Sequence, residues 1–221
     1  MEINADFSQR VLLRTNEMEW APSPQPGVRR RMLDRIGDEV ARATTIVEFA
    51  PKSAFDAHTH GGGEEFLVLD GVFSDEHGDF PAGSYVRNPP TSKHTPSSAP
   101  GCVILVKLHQ FDPADRTHVR IDTKKQAPTP HAERPGVSIQ PLFADGREEV
   151  RIETWAPNAE IRLEAAGGLE AFLLSGAMTE GGETLGPRDW LRSPSGAPFI
   201  ARAGSDGATL WVKTGHLAET L

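Results

Sequence analysis

The feature that most constrains the fold of this chain is an internal repeat. Three blocks of sequence recur at a nearly constant offset: EFLVLDG (65–71) matches EAFLLSG (170–176), GSYVRNPPTSKH (83–94) matches RDWLRSPSGAPF (188–199), and CVILVKL (102–108) matches TLWVKTG (209–215). The offsets are 105, 105 and 107 residues, too regular for a chance match of apolar runs. The 221-residue chain therefore contains a duplicated unit of roughly a hundred residues, the size of one small β domain.

Short apolar runs separated by turn residues indicate that each repeat is all-β. EVARATTIVEFAP (39–51) is rich in β-branched residues, GCVILVKLHQF (101–111) is a long apolar run, and helical periodicity is weak throughout. The 21 Gly and 18 Pro suit many turns between short strands. We expect two tandem antiparallel barrels or jelly rolls, with a first barrel and its N-terminal arm at 1–115, a linker at 116–136 and a second barrel at 137–221.

Composition excludes several classes of function. The net charge is −8 and the pI about 5.5, so we do not expect binding to nucleic acid by counterion release. The single cysteine, Cys102, rules out a disulfide within the chain and is predicted to be a buried, inert thiol. The sequence has no run of apolar residues long enough for a membrane span and no signal peptide at its N-terminus, so we expect a cytoplasmic protein.

The stretch HTHGGGEEFLVLDG (58–71) concentrates residues that bind metals. Residues two apart on a strand point to the same face, so His58 and His60 project together if this segment is extended. The three glycines allow a sharp turn, after which Glu64 opens the next strand and can approach both rings. Taken alone, a His-x-His pair is a weak signal, because the same residues also suit the polar edge of an ordinary hairpin.

The surrounding sequence resembles the cupin superfamily. Its first motif is G-x5-H-x-H-x3–4-E-x6-G and its second is G-x5-P-x-G-x2-H-x3-N. The matching positions are His58, His60, Glu64 and Gly71 in the first motif, and Gly83, Pro89 and His94 in the second. Three positions depart from the motifs, and all three lie in predicted turns: Lys52 and Thr91 in place of glycines, and Ser98 in place of the closing Asn.

The cupin resemblance implies one metal ion per chain, held by His58, His60, Glu64 and His94. Three imidazoles and a carboxylate suit Zn, Fe, Mn, Ni or Cu, and the ligand types alone do not choose among them. Zinc could be enclosed by all four ligands, whereas a six-coordinate iron or manganese would keep two positions for water, substrate or dioxygen. Glu65 is the neighbouring carboxylate, but strand alternation allows only one of the pair to face inward, which leaves Glu65 at the surface or behind the ligands.

The second repeat does not keep these ligands. At an offset of 105 residues, the four ligand positions become Leu163, Ala165, Leu169 and Phe199. We expect either a barrel that supports the first one or builds a dimer, or a barrel with an apolar pocket for a small ligand. Trp190 and Phe199 are the candidate lining residues of such a pocket.

A closer resemblance links residues 5–110, and above all SDEHGDFPAGSYVRNPP (74–90), to the cupin domain of ChrR-type anti-sigma factors. This resemblance implies a zinc-type site in a barrel that helps a cell respond to singlet oxygen or organic peroxides. ChrR proteins hold their sigma factor with a separate N-terminal module that has its own His-x3-Cys-x2-Cys zinc site. This chain begins almost at the cupin and has one cysteine, so we expect that module to be absent.

Two functional hypotheses follow. The first is a metal-bound sensor or regulator of the oxidative stress response, with zinc as the expected ion and a regulatory protein or a small molecule as its partner. The alternative is a metal-dependent dioxygenase acting on a small carbonyl or diketone, which predicts iron in the site; manganese and nickel are the other possible ions. A purely structural role is disfavoured because one repeat keeps all four ligand types at motif spacing. In each case we expect a homodimer, since exposed strand edges gain from being covered.

Overall fold

The computed structural model describes residues 1–218, and this part of the chain consists almost entirely of β-strands. The only helical elements in that range are two short 3-10 turns, Thr15–Glu17 and Thr123–Lys125. The predicted all-β class is therefore confirmed. No helix among the described residues is long and apolar enough to cross a membrane.

The strands follow one another with short connections. In the first half they are β1 (Glu2–Ile3), β2 (Val11–Leu13), β3 (Ala21–Pro22), β4 (Val28–Gly37), β5 (Ala41–Phe49), β6 (Ser53–Ala54), β7 (His58–Thr59), β8 (Glu64–Asp75), β9 (Gly78–Pro81), β10 (Ser84–Asn88), β11 (Lys93–His94), β12 (Ser97–Ser98), β13 (Cys102–Leu108) and β14 (Val119–Asp122). In the second half they are β15 (Thr129–Pro130), β16 (Val137–Ala144), β17 (Glu149–Trp155), β18 (Glu160–Glu164), β19 (Leu169–Glu180), β20 (Glu183–Leu185), β21 (Trp190–Ser193) and β22 (Pro198–Thr214).

The chain divides into two compact units. Unit 1 comprises residues 1–5 and 19–125, and unit 2 comprises residues 6–18 and 126–221. The segment 116–136, predicted to be a linker, contains β14, the second 3-10 turn and β15. Its first part pairs with unit 1 through β10, and its last part pairs with β16 of unit 2.

Unit 1 is built on an antiparallel sheet with the order β1-β4-β5-β13-β8-β10-β14. Further short strands pair beside this path, and β7 and β11 form a small sheet of their own. The order has two free ends, so the hydrogen-bonded path of this sheet is not closed. Strands β8 and β13 are apolar and lie in the middle of the sheet, where they supply the core. Its buried members are Phe66, Val68, Phe73, Phe80, Val86, Cys102, Ile104 and Val106.

Unit 2 repeats this arrangement with the order β15-β16-β17-β22-β19-β21-β2. This sheet is likewise open rather than closed. The last strand of each path is equivalent: Val119 of β14 lies opposite Arg87, and Val11 of β2 lies opposite Arg192. The predicted duplication is therefore visible in the strand order as well as in the sequence.

The edge strands β2 and β14 both belong to short arms that precede their repeats in the chain. Each arm continues into a 3-10 turn whose threonine hydroxyl donates to the opposite strand. Thr15 Oγ1 donates to the carbonyl oxygen of Arg188 at 2.5 Å, and Thr123 Oγ1 donates to that of Gly83 at 2.7 Å. The arm that precedes the first repeat thus completes the sheet of unit 2, and the arm that precedes the second completes the sheet of unit 1.

The predicted buried thiol is confirmed. Cys102 is 4% exposed on β13, and burial raises the pKa of its thiol to about 11. The reactive thiolate is therefore scarce near neutral pH.

The two glycine positions that this chain fills with other residues adopt a left-handed backbone. Lys52 has φ of 64° and Thr91 has φ of 73°. The position of unit 2 equivalent to Thr91 is Gly196, with φ of 77°. A residue with a Cβ is strained in this region, so unit 1 carries a local cost at Thr91 that unit 2 avoids.

Replacing Thr91 by glycine should stabilise the protein. The strain relieved exceeds the conformational entropy that glycine loses on folding, and the free energy of unfolding should rise by about 0.5–1 kcal/mol. Urea unfolding measures this change. The matched control is Gly196→Thr, which should lower the stability by a similar amount, because a Cβ there meets no atom within 4 Å and only backbone strain is added. A stabilising Gly196→Thr would contradict this account.

Candidate metal centre

The small sheet formed by β7 and β11 brings three histidines together. His58 lies directly opposite His94 in this ladder. His60 follows two residues after His58, and its amide donates to the carbonyl oxygen of Ser92 at 2.9 Å, which continues the pairing. The ring centroids of the three histidines are 4.6–5.1 Å apart, with the rings nearly perpendicular to one another.

Glu64 brings a carboxylate to the same point from the first position of β8. Its Oε2 lies 3.4 Å from Nε2 of His60 and 3.5 Å from Nε2 of His94. The side-chain amide of Asn88, its cross-strand neighbour on β10, donates to the same oxygen at 3.3 Å. One potential ligand atom from each of the four predicted residues lies within 4.8 Å of the others.

The spacing of these atoms fits a single ion. Nε2 of His60 and Nε2 of His94 are 3.2 Å apart, and both lie at a similar distance from the Glu64 carboxylate. Neighbouring ligands bound at about 2.0–2.1 Å are separated by about 3.3–3.4 Å around a tetrahedral metal and by about 2.8–3.0 Å around an octahedral one. The set is therefore close to the geometry that a transition metal requires.

A hydroxyl group determines which nitrogen of His60 faces the centre. Nδ1 of His60 lies 2.9 Å from Ser92 Oγ, and that hydroxyl donates its one proton to the carbonyl oxygen of Pro89 at 2.6 Å. Ser92 must therefore accept from His60, so Nδ1 carries the proton and Nε2 keeps a free lone pair. Ser92 stands two residues before His94, and nothing in the sequence motif distinguishes it.

A buried carboxylate does the same for His94. Nδ1 of His94 donates to Asp75 Oδ2 at 3.2 Å, and both side chains are at most 2% exposed. A carboxylate that accepts from the distal nitrogen of a metal-binding histidine orients the ring and increases its basicity. Sequence analysis missed Asp75, because it occurs in the polar loop SDEHGDF, where a carboxylate is ordinary.

Two lone pairs and a carboxylate thus converge on one point, which favours a cation there. Burial lowers the pKa of His60, because the imidazolium is poorly solvated. Burial also acts on His94, but the hydrogen bond to Asp75 and the charge of Glu64 outweigh it and raise the pKa of His94. Burial of Asp75 is likewise outweighed by its hydrogen bonds to His94 and the His77 amide, which lower its pKa. A metal at this point competes with protons for the same nitrogens.

The centre is closed on its inner side and open on its outer side. His60, Glu64 and His94 are 6%, 9% and 2% exposed, whereas His58 is exposed. On the inner side, the ring of Phe73 lies 5.7 Å from that of His94, and Phe66 packs on Phe73 at 4.7 Å. A reactant would therefore reach the centre past His58 rather than through the core.

Glu65, one residue along β8, points away from this centre. It is 2% exposed, and its Oε2 accepts from the guanidinium of Arg87 at 3.0 Å. The same guanidinium donates to Asp115 at 2.8 Å and lies 4.1 Å from the ring centroid of Phe111. Glu65 is thus buried in an ion pair on the opposite face of the strand.

In unit 2 the four equivalent positions are apolar and packed. Ala165, Leu169 and Phe199 are buried members of the core, and Leu163 packs against it. Phe199, one of the two candidate pocket residues, is 1% exposed and lies 6.4 Å from the ring of Trp155. Trp190, the other, is completely buried, and its indole nitrogen donates to Glu170 at 3.3 Å. Both aromatic side chains are therefore in contact with other buried groups.

Comparison with known protein families finds a match, and it lies in the first half of the chain. Residues 8–112 match the family model described as the ChrR cupin-like domain, so the resemblance noted from the sequence is confirmed over this range. Among curated protein sequences, none matches this chain significantly.

Solved structures of cupin-like proteins resemble nearly the whole chain. A proposed dioxygenase from Nostoc punctiforme is 16% identical, with a TM-score of 0.80 over 96% of this chain and 85% of that one. The Escherichia coli protein YlbA is 14% identical, with a TM-score of 0.71 over 96% and 93%. The bacterial pirin YhhW of Escherichia coli, solved in complex with nickel(II), is 14% identical, with a TM-score of 0.68 over 94% and 99%. At these identities the likeness shows the fold and not the activity.

The two adjacent glutamates should separate metal binding from stability. Glu64→Gln replaces a charged ligand by a neutral amide and should remove most of the bound metal. Glu65→Gln should keep the metal but lower the free energy of unfolding by about 3 kcal/mol, because Arg87 loses the buried charge of Glu65 and keeps only Asp115 as a carboxylate partner. Metal content and urea unfolding of both variants test this. Equal metal loss in the two variants would be inconsistent with their opposite orientations.

Asp75→Asn should weaken metal binding although Asp75 is not a ligand. The neutral amide no longer stabilises the protonated Nδ1 of His94, and losses of about 10- to 100-fold in affinity are usual for such partners. Competition titration with a chromophoric chelator measures the affinity. Asp79→Asn is the control, because Asp79 is an exposed carboxylate of the same hairpin and accepts from the Ser74 hydroxyl at 2.7 Å. Unchanged metal affinity of the Asp75→Asn protein would show that Asp75 does not support metal binding.

Proposed function

We propose that this chain, whose residues 8–112 belong to the ChrR cupin-like domain family, binds one divalent metal ion in unit 1 and uses it to sense oxidants. The ligands are His58, His60, Glu64 and His94. The observation that carries this proposal is the convergence of Nε2 of His60, Nε2 of His94 and the Glu64 carboxylate within 3.2–3.5 Å of one another. Without a cation or a shared proton, these groups would repel one another.

Zinc is the ion we expect. Four protein ligands of this kind complete a tetrahedral zinc site, and the metal itself takes no part in redox chemistry. Iron, manganese and nickel are the competing ions, since nitrogen and oxygen ligands accept all of them. The nickel(II) bound to the structurally similar pirin is in keeping with this range.

Sensing of a small oxidant suits the shape of the centre. The apolar core of unit 1 extends up to His94 through Phe73, and the exposed ligand is His58. Hydrogen peroxide, a small organic peroxide or singlet oxygen can reach an exposed imidazole without a deep substrate cavity. A sensor acts by changing its interaction with another molecule, so we propose a regulatory protein as the partner. The assembly we expect is a homodimer.

A metal-dependent dioxygenase is the second candidate. The exposed position of His58 leaves the centre approachable from solvent, and the fold likeness to the proposed dioxygenase of Nostoc punctiforme extends over 96% of the chain. In this case the ion would be iron with open coordination positions, and the substrate a small carbonyl compound or diketone.

Metal analysis of the purified protein distinguishes the two functions. Protein prepared without chelators or added metals is compared with His60→Ala by mass spectrometry. One zinc per chain, lost in the variant, together with a change in protein-partner or self-association on peroxide treatment, is the expected result. One iron per chain with oxygen uptake on a diketone would replace the sensor by the oxygenase. Absence of any metal from the wild-type protein would refute both.

A further inference from the structure

The metal-binding loop of unit 1 rests directly on the chain segment that follows β13. The amide of His109 donates to the carbonyl oxygen of Gly63 at 3.1 Å, and that of Phe111 donates to Gly62 at 3.3 Å. The contact leaves no room for side chains, because a Cβ on Gly62 would lie 2.4 Å from His109 and one on Gly63 would lie 2.4 Å from the ring of Phe111. The loop and this segment therefore constrain each other's position.

A buried guanidinium makes a second link between the same parts. Arg87, 1% exposed, joins Glu65, the neighbour of the ligand Glu64, to Asp115 further along the segment. The ring of Phe111 lies against the same guanidinium at 4.1 Å. Displacement of the start of β8 would therefore disturb Arg87 and both of its partners on the segment.

The segment then becomes the edge of the sheet. After Asp115 the chain forms β14, whose four residues pair with β10, and the hydroxyl of Thr123 anchors its end on Gly83. We call residues 109–123 the strap. The 3-10 turn that begins at its last residue ends at Lys125, and the chain continues into unit 2 from residue 126.

Unit 2 contains the equivalent contacts without the four ligand residues, but they are divided between the segment after β22 and the arm at residues 6–18, which are not continuous in the chain. The amides of Gly215 and Leu217 donate to Gly168 and Gly167, as His109 and Phe111 do in unit 1. Arg192 lies 4.1 Å from the ring of Phe7, and β2 covers the edge strand β21. Because the ligand positions of unit 2 are apolar, its arm at residues 6–18 serves as an internal reference.

We infer that occupancy of the metal centre controls the ordering of the strap and thereby the exposure of the β10 edge. The inference rests on the proposed function and states how loss of the metal would be transmitted to a partner protein. With metal bound, the loop at residues 61–63 is fixed and the strap is held on β10. With the metal lost, the loop loosens, β14 detaches more often, and the edge of β10 becomes available to a strand of a partner protein. The arm of unit 2 does not respond.

Hydrogen–deuterium exchange of the full-length protein tests this inference, with Zn²⁺ as the probe. Zinc-loaded and metal-free samples are compared, and native mass spectrometry of the same samples reports occupancy. We expect zinc to slow exchange of the Val119–Asp122 amides by about ten-fold or more, with the Val11–Leu13 amides unchanged. If zinc binds but exchange of the β14 amides does not change, or if exchange slows equally in both arms, the proposed control of the strap is refuted while the metal site stands. Failure to bind zinc or any other divalent ion would overturn the proposed function as well.

A pair of matched variants tests whether the metal loop is coupled to β14 through the ring of Phe111. Phe111→Ala removes the ring between the loop and Arg87, so the variant should bind zinc while exchange of β14 no longer depends on it. Leu217→Ala removes the equivalent contact in unit 2 and should leave the zinc dependence of β14 as in the wild-type protein. If the zinc dependence survives Phe111→Ala unchanged, coupling through this contact is refuted.

Discussion

The alternation of side chains along β8 is the constraint on which the site depends. Two adjacent glutamates leave the strand in opposite directions, so Glu64 faces three histidines while Glu65 is buried against Arg87. A shift of one residue in the register would place Glu65 among the histidines and remove one of the two carboxylates that pair with the Arg87 guanidinium. The buried ion pair therefore does more than add stability, because it makes the wrong register costly.

The second unit shows that the charged residue on one side of this strand can be kept while the metal-ligand position on the other side is lost. At the position equivalent to Glu65 it keeps Glu170, which is completely buried and lies opposite Arg192 and Lys213. At the position equivalent to Glu64 it has Leu169, a member of the apolar core. Charged groups on one face thus belong to the architecture that both units share, whereas the ligand set belongs to unit 1. Apolar side chains packed in the core occupy the four equivalent positions in unit 2, so we expect that unit to fold without a metal.

Sequence reasoning succeeded where the signal is local and periodic. The spacing of His58, His60 and Glu64 follows from strand geometry, and the cupin motif added His94, which lies opposite His58 across the small sheet. Asp75 and Ser92 were not predicted, because a loop carboxylate and a loop hydroxyl become significant only once the fold brings them to the distal nitrogens. The assignment of β2 to unit 2 was also out of reach, since its pairing with β21 spans most of the chain and short edge strands carry little pattern. Whether each sheet closes could not be predicted, because short strands and turns in a sequence specify neighbouring strands but not closure.

Each arm completes the sheet of the unit that does not contain the repeat following it, and this limits where the chain can be divided. A break after residue 125 would give an N-terminal product that carries β2, the edge strand of unit 2, and a C-terminal product whose sheet would end unprotected at β21. The N-terminal product would keep β14, so β10 at the end of its own sheet would remain covered. The two halves are therefore unequal as independent polypeptides, and the boundary that the sequence repeat suggests is not a boundary at which the protein can be separated into two complete modules.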